Sequence, residues 1–153
     1  MKTADKPLKN TVQYIIRSYV QDDIPDIISI LKENDLYDEN EILSNFFVLS
    51  DDFSIVGVVQ LAPYPSYYFL SYMAIRTDVQ KKGIGGYLIN GLLSGIDKPV
   101  YLYTIIPEFY EKHGFKIVMD SEILPHKNED VCRICMPEKC RTMEYVWNQS
   151  RIK

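Results

Sequence analysis

The stretch VQKKGIGGYLING, Val79–Gly91, constrains the fold more than any other part of the chain. An apolar run, YYFLSYMAIR (Tyr67–Arg76), stops just ahead of it, and an amphipathic pattern begins inside it. Glycine within a helix costs about 1 kcal/mol relative to alanine, so Gly83, Gly85 and Gly86 at a helix start need a reason. One reason is a tight turn that uses positive φ. The other is an anion cradle, in which bare backbone N–H groups at the helix start face a phosphate. Either way the segment reads strand, glycine turn, helix. Ile84, Leu88, Leu92 and Ile96 recur every fourth residue with Ile89 and Leu93 beside them, so the helix has one buried face.

The rest of the chain supplies partners for this unit. TVQYIIRSYV (Thr11–Val20) is β-branched and aromatic and reads as a strand. DDIPDIISILKEN predicts a helix with Asp23 as cap, Pro25 in the first turn, and Ile27, Ile28 and Leu31 as the apolar stripe. DENEILSN predicts a short helical piece. Phe46–Leu61 predicts two strands around a turn at Asp51–Asp52, and APYPS breaks the chain before the run at Tyr67. That run is apolar enough to predict a strand buried on both faces. After the glycine turn, KPVYLYTI predicts a strand and PEFYEKHG a short helix with Pro107 at its start. FKIVMDSEI and TMEYVWN predict the closing strands, with Trp147 in the core of the last. The layout is mixed α/β around one central sheet.

The bulk properties fit one domain over residues 1–153, with a cysteine-containing insertion near 124–141. A length of 153 residues, 46% of them hydrophobic and 25% charged, permits a sizeable core. The net charge of −4 opposes a general nucleic-acid binder, which needs a basic field. No apolar run approaches the roughly 20 residues that span a bilayer. MKTADKPLKN lacks a signal-peptide core, so the expected setting is cytoplasmic, with neither nucleic acid nor membrane as partner.

With GIG behind the strand that ends MAI, and FYEKHGF one strand later, the chain resembles the GNAT N-acetyltransferase family from Thr11 to about Ile123. The family's acetyl-CoA motif stands here as Gln80, Lys81, Lys82, Gly83, Ile84, Gly85, followed by Gly86. The resemblance implies a mixed, mostly antiparallel twisted sheet of about seven strands. Helices lie on both faces, and the sheet is splayed between the fourth and fifth strands. It implies acetyl-CoA as cosubstrate, with the pyrophosphate on the glycine turn and pantetheine in the splay, along Met73, Ala74 and Ile75. The family often has glycine where Lys81 stands. A P-loop is excluded because no Gly-Lys-Ser/Thr follows, and a dinucleotide fold is disfavoured because several strands precede the turn.

By the same resemblance Tyr110 is the proton donor to the leaving thiolate, and also borders the cofactor. A phenol, with a pKa near 10, is protonated at neutral pH. The backbone N–H of Ile75 is the oxyanion candidate. No carboxylate stands on the strand before the turn, where some family members keep a base. Glu39, Glu41 and Glu108 are undistinguished alternatives, and His113 reads as a surface or capping residue. An α-amine, with a pKa of about 8, is far more often neutral than a lysine amine at about 10.4. That favours direct transfer to a small amino-acid-like primary amine. A looser likeness to the amino-acid N-acetyltransferase branch, through IPDIISILKENDL, FFVLSDDFSIVGVVQLAPY and EILP, points the same way. Arg17 and Arg76 are the candidates to hold a substrate carboxylate, although each reads first as a solvent-facing strand residue. The alternative is a GNAT-fold CoA-binding or regulatory module with weak catalysis. A homodimer is compatible with either.

Cys132, Cys135 and Cys140, with His126 ahead of them, have spacing that a zinc site could use. There is no second Cys-x-x-Cys pair, so thiols without a metal are the favoured reading, and a redox switch is a third.

Overall fold

The computed structural model describes residues 12–41, 43–126 and 137–146. Seven strands form one sheet in the order β1-β2-β3-β4-β5-β7-β6. They are β1 (Ile15–Ser18), β2 (Phe46–Ser50), β3 (Ile55–Pro63), β4 (Tyr68–Ile75), β5 (Val100–Thr104), β6 (Phe115–Val118) and β7 (Arg141–Tyr145). The helices are α1 (Ile24–Glu33), α2 (Ile84–Leu93) and α3 (Pro107–Glu111). Every neighbouring pair is antiparallel except β4 with β5, which is parallel. This is the expected mixed, mostly antiparallel sheet.

Strand alternation, shifted by irregularities in the β2–β3 and β3–β4 pairings, divides the core between two faces. Val48, Val58 and Ala74 point to one face and pack with Ile27, Ile30 and Leu31 of α1. Leu49, Val56, Val59, Leu61 and Leu70 serve the other, against Ile84, Leu88, Ile89, Leu92 and Leu93 of α2. Helices therefore cover both faces, and Ile55–Val59 of β3 is buried throughout. On α1 the third member of the stripe is Ile30 and not Ile28, because i, i+3 and i+4 share a helix face. Among the described residues, no helix is long and apolar enough to cross a membrane.

Three local expectations are corrected. Asp38–Glu41 forms a turn and no helix. Asp38 Oδ1 accepts the Asn40 N–H at 2.9 Å, a local bond that competes with helix formation. The first strand is shortened to Ile15–Ser18, and Thr11 lies outside the described residues. β4 is not buried on both faces along its whole length. Phe69, Leu70 and Ala74 are buried, while Ser71, Tyr72 and Met73 are half-buried, because the next strand has moved away there.

Asp23 does not cap α1 through its side chain. It is 7% exposed and accepts two bonds from the Arg17 guanidinium, at 2.7 and 3.0 Å, and one from the Val20 N–H at 2.8 Å. This clamp joins the end of β1 to the start of α1. The bonds from Arg17, followed by that from Val20, hold the Asp23 carboxyl below the usual carboxylate range against the opposing effect of burial. A folded-state pKa below the unfolded value stabilises at pH above about 4, and that stability is lost as pH falls through the lowered pKa. Asp23→Asn should therefore lower unfolding free energy by about 1–3 kcal/mol at neutral pH. The gap to wild type should narrow in acid, as read from urea melts across pH.

Candidate active site

β4 and β5 stay together for two register pairs, Tyr68–Val100 and Phe69–Tyr101, and then part. On its other side β4 carries a bulge. Val58 pairs with Ala74 and Gln60 with Ser71, so two residues of β4, Tyr72 and Met73, face one of β3. Tyr72 takes φ +53°, an unusual backbone region for a bulky side chain. The bulge turns the strand at the point where the sheet opens. Beyond it, Arg76 N–H donates to Val56 C=O at 2.8 Å. The neighbouring pair Gly57–Ile75 is then of the non-hydrogen-bonded kind, and the Ile75 amide faces the opening rather than β3.

One side of the opening is a cleft of about 430 Å³. Met73, Ala74, Ile75, Gln80, Lys81, Gly83, Ile84, Gly85, Gly86 and Tyr110 all line it. Of the candidate cofactor residues, Lys82 does not; it is exposed, with its charge near Asp78. Lys81 and Gly83 take φ +66° and +80°. Glycine is suited to both positions, which accounts for the family's preference where Lys81 stands. A Cβ on Gly85 would stand 3.4 Å from the Phe109 ring and 3.6 Å from Met73 Cε, so the turn packs closely on the cleft wall. The first helical bond of α2 is Tyr87 N–H to Gly83 C=O at 3.1 Å. The N–H groups of Ile84, Gly85 and Gly86 precede it and have no acceptor in their own helix, at its positive dipole end. N–H groups so placed at a positive dipole end are of the kind that suits an anion.

Gln80 reinforces the turn from behind. Its Nε2 donates to Ile75 C=O and to Asn34 Oδ1, each at 3.0 Å. Asn34 Nδ2 also donates to Ile75 C=O, at 3.1 Å. These two amides tie the end of α1, the end of β4 and the glycine turn together. Sequence reasoning missed Asn34 because nothing local marks it.

The other side of the opening is a second cleft, of about 800 Å³. Ser71, Tyr72, Tyr103, Thr104, Gln60 and Glu41 contribute to its walls. Met73, Ile106 and Tyr110 line both clefts and mark their junction. Tyr110 is 8% exposed and packs edge-on against Phe109 and Phe115, at 5.0 and 5.6 Å between ring centroids. Burial pushes its phenol pKa up to about 12. Its hydroxyl lies 3.7 Å from Met73 Sδ.

Of the carboxylates considered as bases, Glu41 lines the second cleft, and Glu39 and Glu108 line neither. His113 sits beside Phe109 with Nδ1 3.1 Å from Asn90 Oδ1, outside both clefts. Burial, with a smaller push from Lys112, lowers its pKa. Arg17 is held by Asp23. Arg76 bonds Asp78 at 2.6 Å and Ser54 Oγ at 2.8 Å. Neither lines the second cleft, so neither is placed to hold a substrate carboxylate there. His126 and Cys140 do line it, whereas Cys132, Cys135 and Trp147 lie outside the described residues. Among the described residues there is no group of three or more potential metal ligands.

Residues 43–117 match the family model described as "Acetyltransferase (GNAT) domain". The chain carries a GNAT domain. A search of curated proteins finds no match. Solved structures agree on the fold of this GNAT domain. N-acetylglutamate synthase from Neisseria gonorrhoeae, complexed with coenzyme A and N-acetyl-glutamate, superposes with a TM-score of 0.70 at 19% identity. That match covers 92% of this chain and 36% of the synthase, so the chain spans about a third of the larger protein. Ard1 from Thermoplasma volcanium gives 0.65 at 19% identity, covering 89% of this chain and 99% of that one. The ribosomal-protein-S18-alanine N-acetyltransferase from Escherichia coli gives 0.61 at 15% identity, covering 88% and 94%.

The burial of Tyr110 has a measurable consequence. In an alkaline titration, the near-ultraviolet tyrosinate difference between wild type and Tyr110→Phe should be absent at pH 10, where an ordinary phenol is half ionised. It should appear only toward pH 12, the value to which burial raises this group.

Proposed function

We propose that the chain is an acetyl-CoA-dependent N-acetyltransferase that moves the acetyl group directly to a primary amine. The observation that carries this reading is the meeting of two clefts at Tyr110, a residue 8% exposed. The smaller cleft, with its N–H cradle, suits a pyrophosphate. The opened edge of β4 suits an extended pantetheine, which bonds a strand edge as an added strand does. The larger cleft suits the acceptor.

In this reading the thioester supplies an activated acyl group, and the chain supplies position and polarity. The Ile75 N–H, turned toward the opening, supports the oxyanion. Tyr110, neutral across the working pH range, donates to the departing sulfur. Ile106 and Met73 keep the junction apolar, which strengthens both interactions. A neutral amine attacks the carbonyl carbon, the C–N bond forms, and the C–S bond gives its electron pair to sulfur. The surplus amine proton leaves through water. No cysteine lines the cofactor cleft among the described residues, in keeping with transfer without an acetyl-enzyme.

A small amino-acid-like α-amine is the favoured acceptor class. Its pKa leaves more of it neutral than a lysine side chain, and N-acetylglutamate synthase is among the structural relatives. The expected setting is cytoplasmic.

Acetyl-CoA at a hundredfold excess over its dissociation constant should stabilise the fold by about 2.7 kcal/mol, measured by thermal shift. Gly83→Val, forced into positive φ at the cradle, should abolish the shift, and an unmoved wild-type melt would refute the cofactor assignment. Tyr110→Phe should still bind acetyl-CoA but turn over about 10²-fold more slowly. A thiol-release screen over amino acids, polyamines and peptides tests the acceptor. The rate should rise with pH through the pKa of the amine. Binding without turnover on any amine would instead identify a CoA-binding module.

A further inference from the structure

We propose that Met73 is a positioning residue, whose thioether sulfur holds the Tyr110 O–H toward the leaving sulfur and releases it as the thiolate forms. The inference rests on the reading of Tyr110 as proton donor. Among the described residues, Met73 Sδ is the one hydrogen-bond partner of Tyr110 Oη, at 3.7 Å. Tyr110 as a whole is 8% exposed, and within the protein this contact directs its O–H. Met73 is itself fixed. Its backbone leaves the bulge set by Tyr72 at φ +53°, and its methyl packs against the glycine turn, 3.6 Å from where a Gly85 Cβ would stand. Its side chain borders both clefts, at the place where the thioester of a bound acetyl-CoA would meet the acceptor.

The chemistry of the acceptor atom explains why sulfur suits this position. A thioether is a weak acceptor. It can orient an O–H without binding it strongly. A thiolate is charged, and charge-assisted hydrogen bonds are roughly twice as strong as neutral ones. The O–H therefore turns from one sulfur to the other as the C–S bond breaks, with no other group rearranging. In the completed step the Oη–H bond breaks, the S–H bond forms, water resupplies the phenol, and Met73 is unchanged. An amide or carbonyl oxygen in its place would compete for the proton.

The test is a mutant cycle in the full chain, with acetyl-CoA and the amine of highest wild-type turnover. Met73→Gln places a stronger acceptor beside the hydroxyl. It should lower kcat about tenfold or more with the KM for acetyl-CoA within about twofold. Met73→Leu removes the acceptor and keeps the volume, and should lower kcat by a smaller factor. Neither should lower kcat further in a Tyr110→Phe background, because Met73 acts only through that hydroxyl. Acetyl-CoA-dependent melting checks that each variant folds. Equal losses with and without the Tyr110 hydroxyl, or a KM effect with kcat intact, would overturn the proposal. Turnover insensitive to Tyr110→Phe would remove the acid and its positioner together. An inactive wild type would overturn the proposed function itself.

Discussion

Two parallel register pairs hold β4 to β5, and the working part of the molecule begins where they end. Backbone N–H and C=O groups that lose a neighbouring strand must find other partners. Here they open onto clefts on either side of the gap. The parting is enforced from the other direction as well. The bulge at Tyr72–Met73 re-aims β4 against β3, and the Asn34 and Gln80 amides fasten the end of β4 through the Ile75 carbonyl. The opening is therefore a built feature of the sheet.

Charge is distributed to the same end. The protein carries a net charge of −4, yet the turn at Lys81–Gly86 concentrates oriented N–H groups and a helix dipole at one edge of the gap. The two arginines considered for a substrate carboxylate are committed to structure. Arg17 secures the β1–α1 joint through Asp23, and Arg76 secures the exit of β4 through Asp78 and Ser54. What faces the larger cleft is mostly aromatic and apolar, with Glu41, Ser71 and Gln60 among its polar groups. Ser71 donates to Gln60 at 2.7 Å, and Gln60 to the Ser44 carbonyl at 3.0 Å, so these polar groups hold the wall together.

Much of this was legible in the chain because it is written in local patterns. The recurrence at Ile84, Leu88 and Leu92 survives as the buried face of α2, with Ile96 past the helix end, and Pro107 opens α3 as its ring geometry favours. The spacing of Gly83, Gly85 and Gly86 marks the turn between β4 and α2, which lines one wall of a cleft. Other features have no local signature. Tyr72 reads as one more apolar strand residue, and its positive φ arises from its register with β3. Asn34 follows a helix as many asparagines do, and matters because it meets Gln80 and Ile75 across the fold. The turn at Asp38 went against expectation because an Asp side chain can satisfy its own backbone more readily than a weak helix can.

The sequence by itself determined the order of the seven strands, the three helices between them and the glycine turn. Each depends on side-chain periodicity, or on backbone freedom over a few residues. Tertiary structure alone decided that β4 parts from β5, that Asn34 meets Gln80 and Ile75, and that a methionine sulfur stands next to the Tyr110 hydroxyl. Those outcomes depend on where distant segments meet. Such meetings are fixed by packing against a common core, and no short stretch of the chain encodes them.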